Sequence, residues 1–470
     1  MLDEKQAADA AHAGPALRGP EGAINPDFVD KVTEAITGRD ASLLRALVGD
    51  LHESDVGDLI EALDPALRPQ LVELMGKDFD FAALTEVDDT VREEILEELP
   101  PETVAEGVRE LESDDAVYIL EDLPKEDQAE ILEQLPAPER AELERGLDYP
   151  DGSAGRRMQT EFIAVPPAWT VGQTIDYMRE KTEDLPERFF EIYVTDADHH
   201  FRGAVPLDRL MRSKRPVGMS ELMEPERHIV RATDDQEDVA RRFERYNLVA
   251  APVVDVADRM VGVITFDDIV DVIEEEAEED IKALGGVSRS EELSDSVWRI
   301  AKGRFNWLLI NLATAFLASS VLGLFEGQLQ QMVALAVLAP IVASQGGNAT
   351  TQTMTVAVRA LATRELGAAN VRRVVLRELL VGVLNGLAFA VVTGVAAVIW
   401  FKTPGLGVVI GLAMICNMVA AALGGILIPL ALNRMRFDPA VASSPFVTTV
   451  TDVVGFFSFL AIATLWFGLK

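Results

Sequence analysis

The sequence has almost no cysteine and little histidine. Its single thiol, Cys416, sits inside an apolar run, so no disulfide can form within the chain and no thiolate metal site can be built. The five histidines, His12, His52, His199, His200 and His228, are scattered and lie outside the long apolar runs, and His199-His200 reads as a loop tip. Soft transition metals are therefore disfavoured inside those runs. No nucleophile–base constellation is apparent, so the chain is not expected to be an enzyme. Met1-Leu2-Asp3-Glu4-Lys5 opens no apolar signal core, which predicts an N-terminus retained on the side of synthesis. Positive charge is also scarce. A formal net charge of −36 argues against nucleic acid and anionic lipid as partners and favours cations.

What is present divides sharply. Hydrophobic residues make up 49% of the chain, yet the acids crowd into roughly the first 295 residues and the last 170 are almost continuously apolar. This pattern predicts a multidomain protein, an acidic soluble region fused to a membrane domain. Residues 1–25 read as a disordered Ala-, Gly- and Pro-rich leader. Residues 26–150 read as an α-helical repeat domain. Ile95-Leu96-Glu97-Glu98-Leu99-Pro100 recurs at Ile119–Pro124 and Ile131–Pro136, and steps of 12 residues land near further Leu-rich segments. Such a period means two-turn helices ended by a breaker, none able to bury its stripe alone, stacked into a superhelix. Residues 91–148 hold 20 acids against five Lys and Arg. A repeated acidic face is most often just solvated. Here it also cannot meet a second acidic surface unless divalent cations lie between them.

Residues 151–217 and 218–270 change to an α/β style. Two units each read as βαββα, with strands near Glu191–Val194, Phe201–Val205, Ala251–Asp255 and Met260–Thr265, and helices near 170–181 and 235–246. Paired units of this kind resemble cystathionine-β-synthase-type (CBS) modules. Gly262-Val263-Ile264-Thr265-Phe266-Asp267-Asp268 is similar to the ribose-phosphate fingerprint of their nucleotide-binding members, with Thr265 and Asp268 in the key places; Pro206 replaces the Thr in the first unit. One adenine-nucleotide (ATP) site is thereby implied rather than two. Residues 271–300 read as a long acidic connecting helix. Nine of the fourteen residues from Asp267 to Asp280 are acids, and like charges three and four apart repel, so the segment works against its own helix unless cations relieve it.

Residues 301–470 read as an all-α transmembrane domain with five spans, at 304–325, 330–358, 379–401, 408–432 and 443–468. Arg299, Lys302 and Arg304 precede the first. Arg359, Arg364, Arg372, Arg373 and Arg377 follow the second, and Arg434 and Arg436 follow the fourth. The remaining loops carry only Lys402. This alternation predicts a cytoplasmic N-terminus and an external C-terminus. Asp452 is the only acid between Asp438 and the C-terminus. A carboxylate inside a span is costly unless it meets water, a cation or a partner, so Asp452 is a functional candidate; the bland alternative is a hydrogen bond to a neighbouring helix. Ser444, Thr448, Thr451 and Gly455 lie on its polar side of the helix. In the second span, Pro340, Ser344, Gly347 and Thr351 form one small polar stripe. There Pro340 and Gly346-Gly347-Asn348 predict an interrupted helix lining a cavity. Gly382 and Gly386 read as helix packing, and Glu378 as a partner of Arg377 or Arg373.

The whole pattern resembles the MgtE family of bacterial magnesium channels. Pro340…Gly346-Gly347-Asn348…Gln352-Thr353 and Asp438-Pro439…Ser443…Pro445…Thr448-Thr449…Asp452 carry the likeness. The resemblance implies a homodimer in the bacterial plasma membrane. Its pore would lie on the two-fold axis, lined by Pro340, Gly346, Gly347, Asn348, Thr448 and Thr449, with Asp452 as the pore ion site. It further implies that cytosolic Mg2+ closes the pore by binding Asp235, Glu237, Asp268, Asp271, Glu276, Glu279 and Asp280, with Asp114 and Asp115 the N-domain candidates. Asn247 and Thr350 depart from the family pattern, at a regulatory site and beside the pore. The competing readings are transport of another divalent ion such as Co2+ or Mn2+, and a membrane sensor that transports nothing. An anion channel is disfavoured by the acid in the path.

Overall fold

A computed structural model describes residues 16–469, except 183, 184, 187, 225–227, 289, 290 and 368, and only the backbone of 441–444. The leader expected at 1–25 therefore lies partly outside the described residues. Its described part, residues 16–25, is tied to the helices that follow. Asn25 caps the first helix, and Arg18 pairs with Asp55 and Asp58 at 2.5 Å each.

Two compact units divide within one acidic helix, at Glu275. Among the described residues the first holds nine α-helices ahead of its strands: α1 (Pro26–Thr37), α2 (Ala41–Val48), α3 (Glu53–Ala62), α4 (Arg68–Met75), α5 (Asp89–Glu98), α6 (Pro101–Val108), α7 (Ser113–Glu121), α8 (Lys125–Gln134) and α9 (Ala137–Leu147). The Leu-Pro steps explain their shortness. Leu99 and Leu135 turn extended, at φ −84°, ψ 146° and φ −81°, ψ 150°, because the proline that follows disfavours helical backbone before it. Pro100, Pro124 and Pro136 then stand at the N-caps of α6, α8 and α9. Ile95, Ile119 and Ile131 hold the same place in the repeat and are 0%, 0% and 3% exposed, so the period is also the burial period. Each such side chain contributes about 1.5–3 kcal/mol. One core runs from Phe28 to Leu143.

The next segment holds β1 (Ala164–Val165), α10 (Val171–Glu180), β2 (Glu191–Thr195), β3 (Phe201–Pro206), α11 (Leu207–Arg212) and α12 (Met219–Leu222). The motif then repeats as β4 (Val230–Arg231), α13 (Gln236–Tyr246), β5 (Ala250–Val254) and β6 (Met260–Thr265). In each half a parallel pair joins an antiparallel pair, and both antiparallel ladders slip at equivalent places, Val194/Thr195 and Val253/Val254. A capping box at Thr170 and Gln173 starts α10. Asn247 ends α13 in the left-handed region at φ 52°, a conformation Asn tolerates better than most residues.

The acidic helix, α14 (Phe266–Leu284), is shorter than the 271–300 expected for it. It ends in a Schellman motif. Gly286 has φ +72°, its N–H donates to the Ala283 carbonyl at 3.0 Å, and the Val287 N–H donates to the Lys282 carbonyl at 3.0 Å. The segment beyond is held by Lys282–Glu292 (2.7 Å), Arg299–Asp295 (3.3 Å) and an ion pair between Arg304 and Glu291.

Among the described residues, five helices of the second unit are long and apolar enough to cross a membrane: α15 (Val297–Leu324), α17 (Val333–Ala362), α18 (Val371–Phe401), α19 (Pro404–Arg434) and α20 (Pro439–Phe467). A short helix, α16 (Glu326–Gln331), joins the first two. Asp438 caps α20 by accepting from the Ala440 N–H at 2.7 Å, with Pro439 at the first helical position. On α18, Gly382 and Gly386 meet α19 at its backbone: a Cβ would stand 2.9 Å from the Met418 carbonyl and 3.1 Å from the Ile415 Cα. That is the packing role read from their spacing. Glu378 pairs with Arg377 at 3.0 Å.

One expectation is corrected. The second span is not interrupted: α17 is a single helix of 30 residues with Pro340 inside it. Gly346 and Gly347 keep helical backbone; at Gly346 the absent side chain admits Asn417 of α19, while a Cβ on Gly347 would meet open space.

Candidate cation path and acidic surface

The helices of the membrane unit place its polar groups on two distinct sides of α17. Leu335, Ala339, Val342, Gly346 and Thr350 are buried. Pro340, Ser344, Asn348, Thr351 and Thr355 are exposed, with Gly347 between the two. The residues expected to line one path are thus divided, because Asn348 follows Gly346 by two residues and faces away from it. Thr448 and Thr449 are half-buried on α20, and their hydroxyls donate to the Pro445 carbonyl at 3.2 and 2.5 Å. Asp452 is half-buried one turn beyond Thr448 and makes no hydrogen bond or ion pair among the described residues. The polar stripe that Ser444 would extend lies outside the described side chains.

A residue that the sequence did not single out for the site joins these helices. Asn417 of α19 is 0% exposed. Its amide Nδ2 donates to the Val342 carbonyl of α17 at 2.7 Å, and its Oδ1 is buried with no partner among the described residues. A Cβ on Gly346 would overlap the Asn417 amide, and one on Gly455 of α20 would stand 2.8 Å from Nδ2. Below this node the end of α14 is seated in the bundle. Ala283, 2% exposed, packs with Met354 and Val358 of α17 and with Ala440 and Val447 of α20. Ordinary hydrophobicity made neither contact visible in the sequence.

In the first unit the repeat domain meets the α/β pair through acids. Asp114 of α7 is 7% exposed. Burial, then the charges of Asp268 and Asp115, push its carboxyl well above the usual range. Burial, then Asp268, Glu112, Glu53 and Asp267, push Asp115 up to about 7. Asp268 is also pushed up to about 7, by burial first and by Asp267 and Asp271, against two hydrogen bonds from Thr265. Burial and then Glu86 raise Asp271. The structure thus brings Asp114, Asp115, Asp268 and Asp271 into one acidic field, in which the Arg157 guanidinium offsets part of the charge at Asp271. Among the described residues, the one group with ligand atoms all within 4.8 Å is Asp196, Asp198 and His200, on the exposed β2–β3 hairpin. Asp114, Asp115 and Asp268 do not form such a group among the described residues.

The other expected ligands have structural duties. Asp235 caps α13, accepting from the Glu237 N–H at 3.1 Å and the Asp238 N–H at 3.3 Å. Glu237 pairs with Arg241 at 2.5 Å. Glu276, Glu279 and Asp280 lie on the later part of α14, in the second unit, and none is without a partner. A second part of the same surface carries its own cations. Arg157 pairs with Glu275 at 2.7 Å, Arg156 with Glu121 at 3.5 Å, and Arg92 with both Asp89 and Asp122 at 2.7 Å.

A narrow cleft opens between the two α/β modules, lined by Phe162, Arg188, Phe190, Tyr193, Ala250 and Thr265 together with the carboxylates Glu161 and Glu191. Aromatic rings and one guanidinium at its wall suit a planar base and a phosphate. Thr265 is a lining residue; Asp268 is not, and is instead held by the Thr265 hydroxyl at 2.7 Å.

Five apolar spans with an unpaired carboxylate among the described residues, joined to a paired α/β module and an acidic helical repeat, define a multi-pass membrane transport protein. Residues 339–462 match the MgtE divalent cation transporter model, 51–152 the MgtE intracellular N domain and 219–275 a CBS domain. The chain is 34% identical to the magnesium transporter MgtE of Enterococcus faecalis over 68% of this chain and 70% of that protein. It is 36% identical to the MgtE of Thermus thermophilus over 67% and 70%. With the MgtE of Bacillus subtilis it shares 27% identity over 89% and 93%. The chain belongs to the MgtE family of divalent cation transporters.

Proposed function

We propose that this chain carries Mg2+ inward across the bacterial plasma membrane and that cytosolic Mg2+ closes it. The observation that carries the transport reading is Asp452, a carboxylate with no hydrogen-bond or ion-pair partner among the described residues, inside an apolar helix. A lone acid there is costly unless a cation passes it. Two copies around a two-fold axis supply two such acids and two exposed stripes of Pro340, Gly347, Asn348 and Thr351, which would otherwise face lipid. Gly346 supports this wall from behind. A hydrated Mg2+ needs no fully protein-made cage, so a pair of carboxylates holds it loosely enough to move on. The regulatory reading rests on Asp114, Asp115, Asp268 and Asp271, whose mutual repulsion Mg2+ relieves. The cation favours the docked surface, and its loss releases α14, whose end sits at Ala283 between the second and fifth spans. Asp235, Glu237, Glu276, Glu279 and Asp280 complete the proposed regulatory set. An adenine nucleotide is the ligand proposed for the cleft at Thr265. The termini then lie on opposite sides, with the acidic region in the cytoplasm.

The test is Mg2+ uptake into proteoliposomes reporting internal Mg2+ with a dye. Asp452→Ala should abolish uptake while cross-linking still detects the dimer; uptake at the wild-type rate would overturn the pore assignment. Replacing Asp268, Asp271 and Glu276 together by Asn, Asn and Gln should leave uptake running at high internal Mg2+, and an unchanged closing concentration would overturn the sensor.

A further inference from the structure

We propose that Asn417 is a positioning residue that fixes the second span against the fifth and so sets where Asp452 stands. The inference rests on the transport reading for its consequence and on the structure for its geometry. Asn417 is fully buried among three helices. Its Nδ2 holds the Val342 carbonyl at 2.7 Å, four residues before Gly346. Its amide occupies the space that Cβ atoms on Gly346 and Gly455 would fill, with Oδ1 3.1 Å from the first of those positions and 3.4 Å from the second. Both glycines therefore admit one side chain from α19. Gly455 lies one helical turn beyond Asp452, so whatever fixes Gly455 fixes the turn carrying the carboxylate.

The buried Oδ1 makes a bland packing role inadequate. It has no partner among the described residues, and an unmet acceptor in an apolar bundle is unfavourable. Leucine would fill the volume without that burden. What leucine cannot do is bond the Val342 carbonyl at one defined height along α17. Buried polar groups of this kind fix register rather than add stability. The specific consequence is the separation between Asp452 and the exposed stripe of α17, and hence the size of hydrated ion that fits.

Two measurements test this. Spin labels at Thr351→Cys and Val454→Cys, in a Cys416→Ala background, report the spacing of α17 and α20 without reference to transport. Asn417→Ala should broaden and shift that distance; an unchanged distribution overturns the geometry. In proteoliposomes, Asn417→Ala should assemble as dimer yet lose about tenfold in apparent Mg2+ affinity, with weaker discrimination against Ca2+. If alanine prevents folding, Asn417→Asp is isosteric. Its protonated form donates to Val342 and its ionised form repels that carbonyl, so its uptake should recover as pH falls from 8 to 6, unlike wild type. Variants that keep wild-type affinity, selectivity and pH profile, whatever their melting temperature, overturn the assignment. A wild-type protein that takes up no Mg2+ overturns the transport reading instead and leaves the distance measurement to decide Asn417.

Discussion

The guanidinium of Arg157 lies 4.8 Å from the centre of the Tyr118 ring, and the Arg92 guanidinium lies 4.3 Å from the same centre. Arg157 belongs to the segment leading into the α/β pair, whereas Tyr118 and Arg92 belong to the helical repeat. The surface joining these domains therefore has one part held by protein cations and another, around Asp114, Asp115 and Asp268, where burial and neighbouring acids are the leading influences among the described residues. The first needs no metal. In the proposed regulation, the second is the part where Mg2+ acts.

Arg157→Ala should weaken this docking. It removes a desolvated cation–π contact worth about 2 kcal/mol and leaves Glu275 without its 2.7 Å partner. The Mg2+ concentration that protects the repeat domain from limited proteolysis should rise at least about tenfold. Protection at the wild-type concentration would show that the acidic part alone holds the domains together.

The raised carboxyls at Asp115 and Asp268 make docking depend on pH with a definite sign. Docked and metal-free, both stand at about 7; released into water they return toward the usual 3.8. The docked form binds more protons, so its metal-free stability is fully present below about 4 and is lost as pH rises to about 7. Without Mg2+, proteolysis should be slower at pH 6 than at pH 8. Saturating Mg2+ should remove the difference, and Asp115→Asn with Asp268→Asn should weaken both dependences, Asp114 and Asp271 keeping the remainder. Faster cleavage at pH 6 would refute the assignment.

Much of this architecture was legible because it repeats. The 12-residue period reports Ile95, Ile119 and Ile131 directly, the two βαββα units share even their bulges, and the spans announce themselves by length. Tyr118 and Arg157 were not legible, since a ring and a guanidinium far apart in sequence leave no periodic trace. Asn417 looked like one polar residue in a long apolar run, and only its distance to Val342 gives it a role. The reading of Pro340 as a break failed for a physical reason. A helix held by neighbours along its length tolerates one missing donor. Ala283 is hardest of all to foresee, because small size alone lets α14 end between two spans.

Thr350 offers a test of packing apart from mechanism. It is fully buried, and its hydroxyl has no partner among the described residues. Thr350→Val keeps the shape and removes the unmet group, which should raise the stability of the bundle by about 1 kcal/mol. A higher melting temperature in detergent with unchanged Mg2+ uptake is the expected result. A lower one would mean that the hydroxyl is bonded in the assembled dimer.

Gly286 is where the acidic helix is fastened to the first span. Its φ of +72° suits glycine, and a Cβ there would fall on the indole of Trp307. Gly286→Ala therefore meets two separate penalties, about 1 kcal/mol or more of left-handed strain and a collision with the ring. Both tilt the end of α14 away from its seat, where Ala283 packs on Met354 and Val358. The expected phenotype is incomplete closure. Uptake at zero internal Mg2+ should match wild type, while a residual flux persists at internal Mg2+ that silences wild type. Adding Trp307→Ala removes the collision but not the strain, so the double variant should leak less than Gly286→Ala alone. Full closure in the single variant would show that the seating of α14 does not depend on this joint.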